Sequence, residues 1–411
     1  MSPAAPEVIV RAIAAGGDGV ATLPDGRTVF IPRAAPGDRL RLRDLRLHKR
    51  FARARIETVL EPGPDRVTPP CPHYLADDCG SCQLMHLSAD GQRAAKARIV
   101  GDALRRIARL EVADPEVVAS PSMLGYRTKV SFAIAEGHLG YHLVGDADRV
   151  FDVRECLLAE PALQGLFHAV SAARDSLPTG GVRIVLRRDS EEQLHVIVRT
   201  DPDVPVWGGA PRFDRSLRDA GWRVIIWWHP DGGQPRVLTG CDDPWPATVF
   251  EQVNPTVGAN VRARAVEALG VTVGVHAWDL YAGIGETTRA LLNRGASVES
   301  VEHDARAVSL AEDIGPSGPR RLAGRVEEQV ALLAAPGVIV TNPPRAGMAA
   351  AVVATLAASG ARRIAYVSCD PATLARDLTG LVPQYRLRQV IAFDQFPQTA
   401  HVETLVILEQ R

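Results

Sequence analysis

The stretch "HAWDLYAGIGETTRALLNRG", His276 to Gly295, joins a short apolar run to a Gly-rich turn and then to a helix-forming segment. A strand that enters such a turn and leaves as a helix is the opening unit of a doubly wound parallel sheet. Gly283 and Gly285 let the backbone approach a ligand, and the crevice beyond the carboxyl end of the first strand is where such sheets hold nucleoside cofactors. After a second apolar run, "SVESVEH", Glu302 stands where an acid commonly grips ribose hydroxyls. A pyrophosphate-binding G-x-G-x-x-G would need a third glycine where the chain has Thr288. The loop "DLYAGIG", with Asp279, therefore favours S-adenosylmethionine over NAD.

Strand, loop and helix alternate in this way from about Thr248 onward, which predicts an α/β, Rossmann-like catalytic domain over 248–411. The strand "GVIVT" ends in "NPPRAG", with Asn342 first in the turn. Asn-Pro-Pro is an active-site turn of methyltransferases that act on exocyclic amino groups. Those place an aromatic residue next to stack on the flipped base, whereas this chain has Arg345, which weighs against amino-group methylation.

In "YVSCDPATLARD", Tyr366 to Asp377, Cys369 closes a strand on the same sheet edge as the cofactor loop. A core thiol is the plain reading of a lone cysteine. A strand end beside a helix N-terminus and an arginine instead predicts a lowered pKa and a nucleophile. The segment "FDQFPQTAHVETLVILEQR" adds Glu403 at the start of a last strand. Carbon 5 of a pyrimidine becomes nucleophilic only after a thiolate adds at carbon 6, and a base must later remove the carbon-5 proton. Cys369 and Glu403 suit those two tasks.

Upstream, "VIVRAIA", "GVATL", "TVFIP", "RLRLRDL" and "FARARIETVLEP" are separated by the turns "PDGR" and "APGD", which predicts a small β-barrel over 1–62. Arg39, Arg41, Arg43, Arg46, Lys49, Arg50, Arg53 and Arg55 face one acid, Asp44, in that span. Such a surface suits a phosphate backbone, and a solvated strand face is the alternative. "PPCPHYLADDCGSCQLMH" then sets Cys71, Cys79 and Cys82 in a C-x7-C-x2-C loop, with Cys156 as the nearest fourth ligand. Four thiolates suit tetrahedral zinc or an iron–sulfur cluster, and spacing does not choose. Cys241 has no such company and reads as structural. A helix is predicted from about Gln83 to Arg109. The remainder of 63–247 alternates strands ("KVSFAIA", "VRIVLRR", "LHVIVRT", "RVIIWWHP") with turns and carries few motifs of its own.

Composition bounds these readings. The chain has 411 residues, 46% hydrophobic and 23% charged, enough for two or three cored domains. No apolar run approaches the ~20 residues of a membrane helix and the N-terminus lacks a signal-peptide pattern, so a cytoplasmic protein without a membrane is expected. A formal net charge of -1 means that any nucleic-acid surface must be local. Six cysteines in such a chain point to ligands, nucleophiles or core thiols rather than a disulfide framework.

The segments "FEQVNP" (250–255), "DLYAGIG" (279–285), "NPPRAG" (342–347), "YVSCDPATLARD" (366–377) and "DQFPQTAHVET" (394–404) together resemble the RNA uracil-5-methyltransferase family, over nearly the whole chain. The resemblance implies that Cys369 attacks, Glu403 deprotonates, Glu302 binds the cofactor ribose, and Gln252 and Tyr281 touch the cofactor or the target base, with Gly283 and Asn342 lining the cofactor site. It implies a TRAM-like, OB-like RNA-binding barrel at the N-terminus and a structural [4Fe-4S] cluster on Cys71, Cys79, Cys82 and Cys156. It also implies that a helix near 86–117 packs on the catalytic domain, making the central domain discontinuous. A barrel and four cysteines on one chain resemble the branch acting on 23S ribosomal RNA more than the bacterial transfer-RNA branch, and a monomer is expected. Two positions depart from the family pattern: Asn342 replaces an aspartate, and "GRVE", Gly324 to Glu327, replaces Gly-Asp-Ala-Glu, so Arg325 cannot accept a bond there. An RNA-binding relative without catalysis is the alternative those departures raise.

Overall fold

The computed structural model describes residues 6–178, 180–241, 247–316 and 318–411. The chain divides into two compact units, Met1–Arg66 with His86–Pro121 and Val249–Arg411, and Val67–Met85 with Ser122–Thr248. Among the described residues no helix is long and apolar enough to cross a membrane.

The first unit holds two sheets. Its N-terminal sheet runs in the order Glu7–Ile9, Arg39–Leu47, Phe51–Glu61, Thr28–Ile31, Gly19–Thr22, Ala12–Ile13. The chain at Val10 and Arg11 bonds both sides, Val10 N–H to Asp38 O (2.9 Å) and Arg11 N–H to Val20 O (2.8 Å), so the sheet curls on itself. Alternation does the rest: Leu40, Leu42, Ala52 and Ala54 are buried, while Arg41, Arg43, Arg53 and Arg55 between them are exposed.

The larger sheet has eight strands in the order Arg320–Ala323, Ser297–Glu302, His276–Leu280, Val338–Thr341, Arg363–Ser368, Glu403–Gln410, Tyr385–Phe393, Glu116–Val118. The first five are mutually parallel. Glu403–Gln410 runs antiparallel to both neighbours, so the sheet is mixed where strict strand–helix alternation predicted a parallel one. The two C-terminal strands follow one another without a helix, and only an antiparallel hairpin connects strands that way.

Both faces are covered. Trp278, Leu280, Ile339, Ile364 and Tyr366 pack against Val352, Leu356, Leu374 and Leu378 on one side. Ala277, Val338, Val340, Ala365 and Val367 pack against Val257, Val261, Ala265 and Leu269 of helix Pro255–Leu269 on the other. Strands buried on both faces read as continuous apolar runs, which is why "HAWDL" and "GVIVT" stand out in the sequence. The strand order reverses between His276–Leu280 and Val338–Thr341, so a ligand crevice is expected at their carboxyl ends.

Helix Ala89–Arg106 is capped by Ser88, whose Oγ accepts from Gly91 N–H (3.0 Å), and so starts later than the predicted Gln83. Val100 and Leu104 pack into the catalytic core. After it, Glu116–Val118 adds a strand beside Ile391–Phe393.

The second unit is built on a seven-stranded sheet in the order Asp146–Asp152, His138–Leu143, Lys129–Ala135, Gly181–Arg188, Leu194–Thr200, Ile225–Pro230, Arg236–Thr239. Helices Pro161–Ala172 and Ala210–Asp219 cover one face through Leu163, Phe167, Phe213 and Leu217.

Candidate active site

The loop after His276–Leu280 turns on three left-handed residues, Tyr281 (φ 61°), Gly283 (φ 56°) and Gly285 (φ 77°). A Cβ on Gly283 would meet nothing within 4 Å, so glycine is needed there for the backbone angle and leaves open space beside the loop. Glu302, at the end of its strand, holds this loop: Oε2 accepts Gly283 N–H and Oε1 accepts Asp304 N–H, both at 2.8 Å. Each carboxylate oxygen keeps a second lone pair for a hydroxyl. Thr288, where a dinucleotide site would have glycine, donates its hydroxyl to buried Asp279 at 2.6 Å. Burial nonetheless pushes the Asp279 pKa up to about 7.

The "NPPRAG" turn leaves Val338–Thr341 at the same edge, Asn342 N–H bonding Leu280 O at 3.2 Å. Helix Pro371–Leu381 fastens it. Asp377 Oδ2 accepts from Met348 N–H and from Tyr366 O–H, both at 2.7 Å, and Arg376 donates to Ala346 O at 2.9 Å. Gly347 (φ 76°) has no room for a side chain, since a Cβ would lie 2.5 Å from Arg376 Nη2 and 2.6 Å from Asp377 Oδ2. Fixed this way, the turn presents Arg345, whose charge favours the ionised forms of both Cys369 and Glu403.

Cys369 follows Arg363–Ser368 and is half-buried. The sequence expectation of a lowered thiol pKa is not met. Burial, the largest influence, raises it, the Glu403 carboxylate raises it further, and Arg345 offsets this only in part. The helix N-terminus does not help, because Asp370 already accepts the N–H groups of Ala372 (3.0 Å) and Thr373 (2.9 Å). Glu403 opens Glu403–Gln410 at 3% exposure, and burial pushes its pKa up to about 8 against the pull of Arg345. A thiol, a buried carboxylic acid and an arginine thus meet at the carboxyl edge of the sheet.

Gln252 belongs to a different contact. Its Oε1 accepts from Gln395 Nε2 (3.2 Å), which also donates to Asn254 O (3.1 Å). This ties Gln252 to the loop 394–402 that delivers Glu403. The same loop is pinned by helix Ala89–Arg106: buried Lys96 pairs with buried Asp394 and donates to Phe396 O (3.0 Å), and Gln92 exchanges two bonds with Gln398, at 2.9 and 2.8 Å. Arg325, one of the departures from the family pattern, is exposed and ion-paired with Glu327. The roles of Arg345, Thr288, Asp377 and Lys96 escape a reading of the sequence, although an arginine directly after Asn-Pro-Pro was a usable signal.

In the second unit the four cysteines named from sequence are neighbours. All are reduced. Cys71, Cys82 and Cys156 pack around Tyr74, Met85, Tyr126 and Leu158, and Cys71, Cys79 and Cys82 each have a pKa raised first by burial and further by Cys156, with Cys71 also raising Cys79 and Cys82. Tyr141 O–H donates to Cys156 Sγ at 3.4 Å, and Arg127 lies close enough to favour a Cys82 thiolate. Among the described residues no three Cys, His, Asp or Glu side chains are set to hold a metal ion as they stand. Four converging soft donors in an apolar pocket nevertheless form a set that suits a thiophilic group.

Residues 325–411 match the tRNA (uracil-5-)-methyltransferase family model. Over 97% of its length the chain is 32% identical to a 23S rRNA (uracil(1939)-C(5))-methyltransferase RlmD of Chromohalobacter salexigens, covering 88% of that protein. The chain belongs to the RNA uracil-5-methyltransferase family. The RlmD protein of Acidithiobacillus ferrooxidans is also 32% identical, over 98% of this methyltransferase and 97% of its own length. Among solved structures, the tRNA (uracil-54, C5)-methyltransferase of Pyrococcus abyssi in complex with S-adenosyl-L-homocysteine superposes with a TM-score of 0.73, covering 98% of this chain and all of that one. At 21% identity that likeness establishes the fold of this RNA methyltransferase. It is a mixed α/β fold of the S-adenosylmethionine-dependent class.

Proposed function

We propose that this methyltransferase acts on carbon 5 of a uridine in 23S ribosomal RNA, with Cys369 as nucleophile and Glu403 as base. The observation that carries this is the meeting of Cys369, Glu403 and Arg345 at the sheet edge that also bears the Gly283 loop. The Cys369 thiolate adds to carbon 6, and the ring electrons move onto carbon 5 and the carbonyl oxygen at position 4. S-adenosylmethionine supplies the methyl group. Glu403 takes the carbon-5 proton, the carbon–sulfur bond breaks, and the thiolate and the aromatic ring are restored. Arg345 steadies the thiolate before it adds and again as it leaves. Tyr281, Gly283, Glu302 and Asn342 line the cofactor crevice. Gln252 sits with the base-bearing loop and so fits the target uracil better than the ribose.

Residues 1–62 serve in this reading as a TRAM-like RNA-binding module, 63–247 as the cluster-bearing domain and 248–411 as the catalytic domain of a monomeric cytoplasmic enzyme. Similarity to the RlmD proteins favours ribosomal RNA. A transfer-RNA uridine is the second reading, favoured by the full-length likeness to the Pyrococcus abyssi enzyme. Methyl transfer from labelled S-adenosylmethionine to separate 23S and transfer-RNA transcripts decides, 5-methyluridine in the transfer RNA alone overturning the substrate assignment.

Two expected outcomes follow from the site. A base must be deprotonated to act, and Glu403 loses its proton near pH 8. Turnover is therefore expected to rise at least tenfold between roughly pH 7 and pH 9, because the Cys369 thiol, whose pKa is also raised, must ionise as well, and a profile that stays flat in that range would exclude the pair in these roles. In this reading Cys71, Cys79, Cys82 and Cys156 hold a structural [4Fe-4S] cluster, which would take over the negative charge that four thiolates alone cannot share. Anaerobically reconstituted protein is expected to carry about four irons and four sulfides per chain, and Cys71→Ser to lose them. A single zinc in their place would keep the ligands and change the metal.

A further inference from the structure

The seven-stranded sheet of the second unit has a second face. Its middle carries Val185, Ile197 and Trp227. Around them stand three arginines and a lysine, with His195, which is neutral because its Nδ1 accepts from Trp227 Nε1–H at 3.1 Å, and with Asp189, whose charge favours that of Arg187. Lys129, Arg187 and His195 lie directly opposite one another on three adjacent strands, and Arg183 lies opposite Arg199 four residues along. Cross-strand partners share a face, so one surface carries Lys129, Arg187, Arg183 and Arg199.

The described acids nearby are already engaged. Asp189 Oδ2 bonds His195 (2.8 Å), and Oδ1 accepts the N–H groups of Glu191 and Gln193, both at 2.9 Å. Asp231 pairs with Arg199 at 3.0 Å on the exposed rim. Arg187, 2% exposed, donates to Ala247 O (2.5 Å). Lys129 is different. It is half-buried, and burial first, then Arg187 and Arg199, both of its own sign, bring its ammonium down to about 8. Two residues along the same strand and face, the Ser131 hydroxyl is buried with no hydrogen-bond partner.

A cation placed among cations and an idle hydroxyl both cost folding free energy. Among the described residues of this unit no acid pairs with Lys129 and no group bonds the Ser131 hydroxyl, whereas an anion would meet both. We propose that this face is an RNA-backbone site, where a phosphodiester is held by Lys129, Arg199 and the Ser131 hydroxyl. The assignment rests on the reading of this enzyme as one that acts on RNA. A phosphate satisfies all three groups at once, and it asks nothing of the base sequence.

The test uses the full-length protein and Lys129→Met, which keeps the stem and removes the charge. With one phosphate-binding cation removed from this face, RNA binding is expected to become severalfold weaker and the slope of log affinity against log salt shallower by about 0.7–0.9. The melting temperature of the free protein stays level or rises, and S-adenosylmethionine binding is unchanged. Arg199→Gln is expected to shift the slope in the same direction. An unchanged slope in both variants overturns the site, and so does a fall in melting temperature with parallel losses of RNA and cofactor binding. Because binding is the readout, failure of the wild type to methylate any transcript would sink the proposed function without deciding this one.

Discussion

Glu403→Gln is expected to cut turnover by ~10²–10⁴-fold and to leave a covalent protein–RNA complex that survives denaturing electrophoresis. The amide keeps the shape of the side chain but cannot take the carbon-5 proton, so the reaction stops after the Cys369 bond to carbon 6 has formed and before it breaks. Cys369→Ala is expected to give neither product nor complex. A Glu403→Gln enzyme that turns over at the wild-type rate, or one that is slow without any trapped complex, would assign proton removal to another group. The same substitution has a signature in stability. An unfolded glutamate loses its proton above about pH 4.5, whereas the buried Glu403 holds it to about pH 8. The folded state therefore binds the extra proton across that window, and wild-type stability falls as pH rises through it. Glu403→Gln removes this dependence. The variant is expected to melt above the wild type near pH 8, and the difference should close toward pH 5.

Lys96→Met is expected to lower stability by about 3–5 kcal/mol, read from the urea midpoint. Lys96 and Asp394 are both fully buried. Removing the ammonium strands the carboxylate in the core and also frees Phe396 O from its donor. Lys96→Met with Asp394→Leu should recover most of the loss, since a buried pair replaced by apolar groups leaves no lone charge. A single variant as stable as the wild type would mean that Asp394 is neutral or reached by water. The loop also carries Glu403, the proposed base, so the single variant is expected to depress kcat more than KM, with the Glu403 pattern of trapped complex.

Most of the catalytic sheet was legible because its strands are buried on both faces and announce themselves as unbroken apolar runs. That Cys369 and Glu403 lie close together was legible because strand ends in such sheets converge on one edge. Their electrostatics were not. Helix N-terminal amides that would have favoured a thiolate are taken by Asp370, a local bond that "CDPAT" permits but does not dictate. The antiparallel insertion of Glu403–Gln410 between two strands and the pinning of 394–402 by Lys96 are pairings across long stretches of chain. Local pattern holds no information about which distant element will answer.

That long reach also has a temporal side. Lys96 and Asp394 are 298 residues apart, and Glu116–Val118 waits for Ile391–Phe393. At ~5–20 residues per second of synthesis, helix Ala89–Arg106 spends some 15–60 s without its mate. Its unpaired lysine and its exposed Val100 and Leu104 are then available to any chaperone, or to another nascent chain. The second unit, whose strands from Lys129 to Thr239 emerge well before residue 394, can form first. On the ribosome, the part of the molecule made in the middle is expected to be finished before the part that begins and ends it.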